Sequence, residues 1–186
     1  MGPVGSDTWN AMLDGAEAVL RDEGHAALTS RRIAERIGVK QRLVYYYFAT
    51  MDDLITELFR RLSERELERF RAARRSDRPL REIWDICIHT TDARLISEFI
   101  ALANRIEELS AEVVHFIEES RRIQVDALEA ALKRAPAANH ASAAALAIVA
   151  TSVALTLTRE QKIGVDSGHD DVMALIEAFL ARAEPS

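Results

Sequence analysis

The sequence predicts an all-α protein built from about nine helices. Glycine and proline are scarce, with 7 and 4 in 186 residues, whereas Ala, Leu, Glu and Arg, which favour helices, dominate the composition. Apolar residues recur three and four positions apart along most of the chain, and no segment carries a strand signal. With 48% hydrophobic residues, the chain also has enough apolar material for a core.

The first helix is predicted over Asp7–Glu23, behind a six-residue start, MGPVGS, that is expected to be a disordered tail. Gly24 follows the helix as a stop signal. One apolar stripe should lie over the core of the next two helices, and its members are Met12, Leu13, Ala16, Val19 and Leu20.

Residues 26–48, AALTSRRIAERIGVKQRLVYYYF, are typical of two short helices joined by a tight turn. The hydroxyl of Thr29 can cap the first helix. Gly38 lies where the chain must take a left-handed conformation to end this helix, and Val39 follows as an apolar residue under the turn. The second helix then begins at about Lys40.

Helical spacing gives this second helix a core face with Val44 and Phe48 and an outward face with Arg42 and Tyr46. Arginine can pair with guanine, a glutamine amide with adenine, and a leucine with the thymine methyl group. The predicted base-reading residues are Gln41, Arg42 and Leu43, and the predicted sugar and phosphate contacts are Ser30, Arg31, Arg32, Lys40, Tyr45, Tyr46 and Tyr47.

Charge supports this interpretation, since residues 27–48 carry net +4 in a chain whose total is −6. Periodicity alone leaves a basic helical hairpin with a merely solvated face as the alternative. Three consecutive tyrosines argue against it, because at most two can face a core and exposed aromatic side chains do not stabilise a monomer.

The motifs LTSRRIAERIGV, VYYYF and MDDLITELF, in this order, resemble the amino-terminal part of the tetracycline-repressor-type (TetR) transcriptional regulators. The resemblance implies a three-helix helix-turn-helix DNA-binding domain followed by a helical ligand-binding and dimerisation domain. Met51 departs from the family, which usually has a phosphate-binding lysine there. The resemblance implies DNA contacts at Ser30, Arg31, Gln41, Arg42, Leu43, Tyr45, Tyr46 and Tyr47.

The chain is predicted to divide into a helix-turn-helix domain at 1–49, a connecting fourth helix within 50–78, and an effector-binding and dimerisation domain at 79–186. Thr50 should cap the fourth helix, and Asp52 and Asp53 suit the positive end of its dipole. Later helices are predicted at 80–89, 92–106, 110–135 with Ser110 as cap, 141–163 and 170–183, with a turn at Pro136 and Asn139.

Residues 141–158 contain no charge over eighteen positions, which raises the question of a membrane span. Most of them are Ala, Ser and Thr, which gain little in lipid, so no membrane association is expected. A small-residue stripe instead predicts close helix packing, either inside one subunit or in a four-helix bundle between two subunits. The predicted dimer interface is Ala143, Ala147, Ala150, Ala154, Val172, Leu175, Ile176 and Phe179.

The later helices are expected to enclose a cavity for a small apolar effector. No catalytic residue and no cofactor is predicted, since Cys87 and His89 point to different sides of a helix. A helical metal-dependent enzyme is the alternative, with Glu112, His115 and Glu119 on one helix face, although such a site needs further ligands. The predicted cavity lining is Trp84, Cys87, Ile88, Phe99, Ala103, His115, Phe116 and Thr151.

These features favour a homodimeric, ligand-responsive transcriptional regulator, more specifically a repressor, of a near-palindromic operator in double-stranded DNA. Residues 1–75 hold thirteen basic and twelve acidic residues, and residues 76–186 hold eleven and eighteen, so DNA should meet the amino-terminal part. The single cysteine, Cys87, fits a reducing cytoplasm. An alternative function is a protein-binding adaptor that has lost DNA affinity. Met51 and the negative net charge of the chain are compatible with it.

Overall fold

The computed structural model describes residues 2–90, 93–134 and 141–185. Within these ranges it contains nine α-helices and no β-strand, so the all-α prediction is confirmed. A 3₁₀ turn, His25–Ala27, follows the first helix, and a π-helical turn, Ile86–Thr90, follows the fifth. The helices are α1 (Asp7–Glu23), α2 (Ser30–Ile37), α3 (Gln41–Tyr47), α4 (Met51–Arg74), α5 (Pro79–Asp85), α6 (Ala93–Ala103), α7 (Glu107–Arg134), α8 (Ala143–Lys162) and α9 (His169–Ala183).

The predicted helix boundaries hold for α1 and shift in the later part of the chain. The fifth helix, predicted over 80–89, ends as an α-helix at Asp85 and continues as the π-helical turn. Ser110 does not cap α7, because that helix already begins at Glu107. Glu107 and Glu108 place two acids at the positive end of the helix dipole, which is a start signal in its own right. The predicted turn at 136–139 lies outside the described residues.

Contacts divide the chain into two units. Unit 1 comprises Met1–Ser63 and Leu95–Val114, and unit 2 comprises Glu64–Arg94 and His115–Ser186. Helices α4 and α7 therefore each supply residues to both units. The domain ranges 1–49, 50–78 and 79–186 divide the chain by expected function and stay a prediction.

Unit 1 buries the apolar stripe of α1 against α2, α3 and α4. Gly15 lets α1 approach α2 closely, since a Cβ there would lie 2.6 Å from the Ile37 side chain. The rings of Phe59 and Phe99 meet edge to face at 5.0 Å, and the backbone N–H of His25 donates to a Glu98 carboxylate oxygen at 3.0 Å. The largest fully buried side chains here are Met12, Leu13, Val19, Leu20, Ile33, Val44, Leu54, Leu58 and Leu109.

The start of the chain is anchored in unit 1 at Gly2, although Pro3, Val4 and Gly5 are exposed. Gly2 is buried, and its N–H donates to the Tyr46 carbonyl at 2.8 Å. A Cβ on Gly2 would lie 2.5 Å from a Tyr47 ring carbon, so only glycine fits there. The prediction of a disordered tail is wrong at Gly2, because a turn of small residues carries no periodic signal.

Unit 2 has its own core, in which α8 uses its small residues. Ala143, Ala147 and Ala154 are all buried there within the chain. By length and composition alone, α8 could cross a membrane, and 28% of its most apolar window is buried. The buried alanine residues of α8 therefore pack within the subunit, which is one of the two arrangements that the sequence allows. Other core members are Leu67, Phe70, Leu80, Ile83, Cys87, Ile123, Ala127, Leu128, Ala131 and Leu180.

Candidate functional site

The pair α2 and α3 is joined as its sequence predicts. The Thr29 hydroxyl accepts a hydrogen bond from the Arg32 N–H at 3.2 Å and so caps α2. Gly38 takes the left-handed conformation, with φ 71° and ψ 31°, and the N–H of Val39 reaches back to the Ala34 carbonyl at 2.9 Å. These local bonds fix the direction in which α3 leaves the turn.

Helix α3 presents one face to the core and the other to solvent. Val44 and Phe48 are 1% and 3% exposed, and the Phe48 ring stacks on Trp9 with centroids 5.9 Å apart. Tyr45 and Tyr46, in contrast, are 49% and 53% exposed. Gln41 and Arg42 are exposed as well, and Leu43 and Tyr47 are half-buried. The predicted base-reading face is therefore free within the chain.

A hydrogen-bonded chain of three side chains links α2 to this face. Gln41 Nε2 donates to Ser30 Oγ at 2.9 Å, and Ser30 Oγ donates to the Tyr45 hydroxyl at 3.1 Å. Ser30 is only 4% exposed, so its hydroxyl holds Gln41 and Tyr45 in place. The side chain lies beneath its two partners, and the phosphate contact through this hydroxyl stays a prediction.

The basic residues of this surface divide into paired and unpaired groups. Arg32 binds Glu23 at 2.8 Å, and Arg36 binds Asp22 at 2.5 Å. The hydrogen bond to Glu23 raises the pKa of Arg32. The carboxylates at the end of α1 therefore compete with any phosphate for Arg32, which the sequence treated as available.

Arg31, Lys40 and Arg42 remain accessible. The Arg31 side chain is 79% exposed and binds its helical neighbour Glu35 at 2.8 Å, and this arginine lowers the pKa of that carboxyl. Within the described ranges, no acidic side chain pairs with Lys40 or Arg42. The positive charge available to DNA is thus concentrated at the start of α3.

The first turn of α4 carries acidic side chains, in contrast to the basic side chains at the start of α3. Thr50 and Asp53 form a reciprocal capping box, with the N–H of Asp53 donating to Thr50 Oγ1 at 3.0 Å and the N–H of Thr50 donating to Asp53 Oδ2 at 2.9 Å. Met51 follows, half-buried, with Asp52 exposed beside it. The first turn of this helix carries two acids and no basic side chain, so no side chain of that turn attracts phosphate.

Unit 2 contains a cavity of about 480 Å³, a volume that includes its open mouth. Its walls come from α5, the π-helical turn, α7, α8 and α9. Two polar side chains face it: Gln124, which is 7% exposed, and Thr151, whose hydroxyl donates to the Gln124 amide oxygen at 3.0 Å. The lining residues are Leu80, Ile83, Trp84, Cys87, Gln124, Leu128, Ala147, Ala150, Thr151, Ile176, Phe179 and Leu180.

Three predicted lining residues, Trp84, Cys87 and Thr151, lie in this cavity. Ile88 and Phe116 instead pack against the core of unit 2. For the remaining three, Phe99, Ala103 and His115, a place in this cavity is wrong: Phe99 and Ala103 belong to unit 1, and His115 is exposed. Periodicity identified apolar faces but could not distinguish which neighbour each face meets.

Gln124 is the functional candidate that the sequence analysis missed. An uncharged polar residue between Ile123 and Val125 on a predicted helix was the available signal. Burial raises the pKa of the Cys87 thiol to about 12, so this wall of the cavity is neutral.

The three residues of the alternative metal site do not come together on a common ligand position. Glu112 binds Arg60 at 2.6 Å, Glu119 binds Arg122 at 2.5 Å, and His115 points to solvent. The part of the chain that the structure describes holds no group of three His, Cys, Asp or Glu side chains placed to bind a metal ion.

The predicted dimer residues also divide. Ala143, Ala147 and Ala154 are buried within the subunit, while Ala150, Ile176 and Phe179 are half-buried and line the cavity, and their part in a dimer interface stays a prediction. Val172 is half-buried, and Leu175 is 66% exposed. The opposite face of α8, which the sequence analysis overlooked, exposes Ile148 and Val149 at 44% and 58%.

Comparisons with known proteins agree with this geometry. A family model described as bacterial regulatory proteins, tetR family, matches residues 12–58. No curated protein matches the chain. Reduced NemR from E. coli superposes with a TM-score of 0.78 at 15% identity, over 97% of this chain and 100% of that one. FadR from Bacillus subtilis, solved in complex with stearoyl-CoA, has a TM-score of 0.59 at 14% identity, over 95% and 98%.

The solved structures establish a shared fold at these low identities. The family model covers α1 to the first part of α4, which includes the helix-turn-helix described above. The resemblance read from the sequence is thereby confirmed. Residues 12–58 thus match the tetR family of bacterial regulatory proteins, and the chain as a whole shares its fold with the solved structures named above.

Proposed function

We propose that this chain is a cytoplasmic, homodimeric repressor that binds a near-palindromic operator and leaves it when a small molecule occupies unit 2. The observation that carries the proposal is the free face of α3, where Arg42 and Gln41 stand exposed on a firmly packed helix-turn-helix. In this motif the second helix enters the major groove, and its first residues meet base edges.

The side chains of α3 suit specific contacts. Arg42 has no acidic partner in the described part of the chain, and it can fork onto guanine O6 and N7. Gln41 donates one amide hydrogen to Ser30 at 2.9 Å, which leaves its oxygen and second hydrogen for an adenine edge. Tyr45 is held through Ser30 in turn, so two of the reading groups are oriented before DNA arrives. Lys40 and Arg31 would bind phosphates on either side.

A second subunit would supply the second recognition helix. The outward faces of α8 and α9 carry exposed apolar side chains at Ile148, Val149, Met173 and Leu175. Pairing these faces across a two-fold axis gives a four-helix bundle and buries surface that water otherwise covers. The two α3 helices would then meet half-sites about 34–36 Å apart.

Effector binding would act through α7, which belongs to both units. Its Gln124 and Leu128 face the cavity, while its Glu112 is held to α4 by the ion pair with Arg60 at 2.6 Å. A ligand that prefers a shifted α7 would therefore displace a helix anchored in the DNA-binding unit. A 100-fold loss of operator affinity needs about 2.7 kcal/mol of coupling. The stearoyl-CoA complex of FadR supports a ligand site in this fold.

Selection of bound sequences from random double-stranded DNA tests the proposal. The purified protein should enrich a near-palindrome whose half-sites are centred one helical turn apart. The double variant Gln41→Ala/Arg42→Ala should lose the enrichment while keeping its thermal melting temperature, because both side chains are exposed. If the unaltered protein enriches no sequence and is not retained on heparin, the proposal of a DNA-binding regulator is rejected. The alternative function, a protein-binding adaptor without DNA affinity, is then favoured.

A further inference from the structure

We infer that the ligand of the unit 2 cavity is a small uncharged molecule with a hydrogen-bond acceptor, and that the Gln124 amide donates to this acceptor. The inference rests on the proposed function, since it names the chemical class of the effector. It concerns one chain and one unit only, because every lining residue belongs to unit 2.

The walls of the cavity exclude charged ligands. Among the residues that the structure describes, its lining comprises ten apolar side chains, Gln124 and Thr151, with no Lys, Arg, His, Asp or Glu. Cys87 adds no charge, because burial keeps the thiol protonated. A carboxylate or ammonium group transferred from water into such walls loses its hydration without gaining a counter-ion. Neutral molecules avoid this penalty.

The Gln124 side chain supplies the polar contact. It is more than nine-tenths buried, and the Thr151 hydroxyl donates to its amide oxygen at 3.0 Å. That bond orients the amide and leaves its NH₂ group as the free end. Among the described residues, no acceptor bonds to this NH₂ group. Gln124 lines the cavity with this donor group unpaired, so a ligand carbonyl, ether or hydroxyl oxygen that enters the cavity could accept a hydrogen bond from it.

The remaining wall sets the shape of the ligand. Trp84, Phe179 and the leucine side chains surround the polar pair, and the volume of about 480 Å³ includes the open mouth, so the enclosed part is smaller and suits a compact ligand. A compact alicyclic or aromatic ketone, ester or alcohol would fill it. Long acyl chains and phosphorylated molecules would not.

Trp84 allows a direct test. The chain has two tryptophans, and Trp9→Phe leaves Trp84 as the only one. Its emission is titrated with three probes that share a cyclohexyl ring with a one-carbon attachment: cyclohexyl methyl ketone, cyclohexanecarboxylate and cyclohexylmethylammonium. The ketone should change the emission with saturation below ~10 mM, as its nine heavy atoms allow. Both ions should give no saturable change at the same concentrations.

Two variants examine the amide itself. Gln124→Leu should weaken ketone binding about two- to tenfold, the usual range for one neutral hydrogen bond. Thr151→Val removes the hydroxyl that orients the amide and should weaken ketone binding to a smaller extent. This variant keeps the inference testable if Gln124→Leu does not fold. Gln161→Leu is the matched control, because Gln161 is exposed at the end of α8, and it should leave binding unchanged.

The inference is overturned if the ketone gives no saturable change, if either ion binds as tightly, or if folded Gln124→Leu and Thr151→Val both bind the ketone like Gln161→Leu. Operator binding is measured separately, without any probe. Loss of the ketone preference with an intact operator would reject the ligand class alone. A ketone preference without any operator would reject the repressor and keep the ligand class.

Discussion

Replacing Lys40 and replacing Arg32 should affect DNA binding very differently, although both are cations of the helix-turn-helix. Lys40 is exposed and has no acidic partner among the described residues, whereas Arg32 is held by Glu23 at 2.8 Å. A cation that already has a carboxylate partner releases few counter-ions when it reaches DNA. We therefore expect Lys40→Gln to weaken binding and Arg32→Gln to leave it nearly unchanged.

The size of the effect follows from counter-ion release. Each phosphate contact contributes about 0.9 to the slope of log K against log salt concentration. Loss of Lys40 from both subunits should therefore reduce the slope by about 1.8. Extrapolated from 1 M salt, where the effect vanishes, this equals about fivefold per subunit and about 30-fold per dimer at ~0.15 M salt. Arg32→Gln should change the slope by less than ~0.3.

Fluorescence anisotropy with a selected operator, measured from ~0.05 to ~0.3 M NaCl, gives both slopes. A non-operator duplex should show the same change for Lys40→Gln, because phosphate contacts carry no base preference. Equal slope changes for the two variants would refute the reasoning. They would mean that Glu23 releases Arg32 to the phosphates when DNA binds.

Further predictions concern base recognition by Arg42, the methionine at position 51 and the thiol of Cys87. Arg42→Ala should cost about 1–3 kcal/mol on the operator and relax the base preference at one position per half-site, which a second DNA selection would detect. Met51→Lys should tighten binding and raise the salt slope by about one unit per subunit, measured by the same titrations. With a pKa raised from 9.0 to about 12, Cys87 should be alkylated by iodoacetamide at pH 8 about a thousandfold more slowly than in the unfolded chain. Mass spectrometry follows that reaction, and comparable rates would show that the thiol is not buried in solution.

The amino-terminal helices could be predicted closely because their signals are local. Thr29 as cap, Gly38 as left-handed stop and the stripe that contains Val44 each lie within a few residues of what they control. Hydrogen bonds over three to five residues are fixed by the chain itself. The prediction of α1 from Asp7 to Glu23 therefore needed no tertiary information.

Tertiary partners could not be predicted in the same way. Arg32 and Glu23 are nine residues apart on different helices, and only the angle between α1 and α2 brings them together. Phe99 looked like a cavity residue because it is bulky and lies on an apolar face, yet that face meets Phe59 in unit 1. Periodicity identifies the buried side of a helix. It does not identify the neighbour that buries it.

The faces of α8 offer a decisive test of the proposed dimer. The alanine stripe pointed to an interface from the sequence alone, but Ala147 is 1% exposed within the subunit, whereas Leu175 on α9 is 66% exposed. Ala147→Leu should therefore overpack the core, cost about 1–3 kcal/mol of unfolding free energy and lower the melting temperature. It should leave the association constant of the folded subunits nearly unchanged.

Leu175→Glu should have the opposite effects. Burying a leucine contributes about 1.5–3 kcal/mol, so losing two such side chains across the two-fold axis should weaken the dimer at least about 100-fold. The isolated subunit should keep its melting temperature, because Leu175 is largely exposed in it. Sedimentation velocity over a range of concentrations measures the association, and thermal melts at low concentration measure the subunit. A dimer of unchanged affinity in Leu175→Glu, split instead by Ala147→Leu, would place the interface on the alanine face and require α8 to repack.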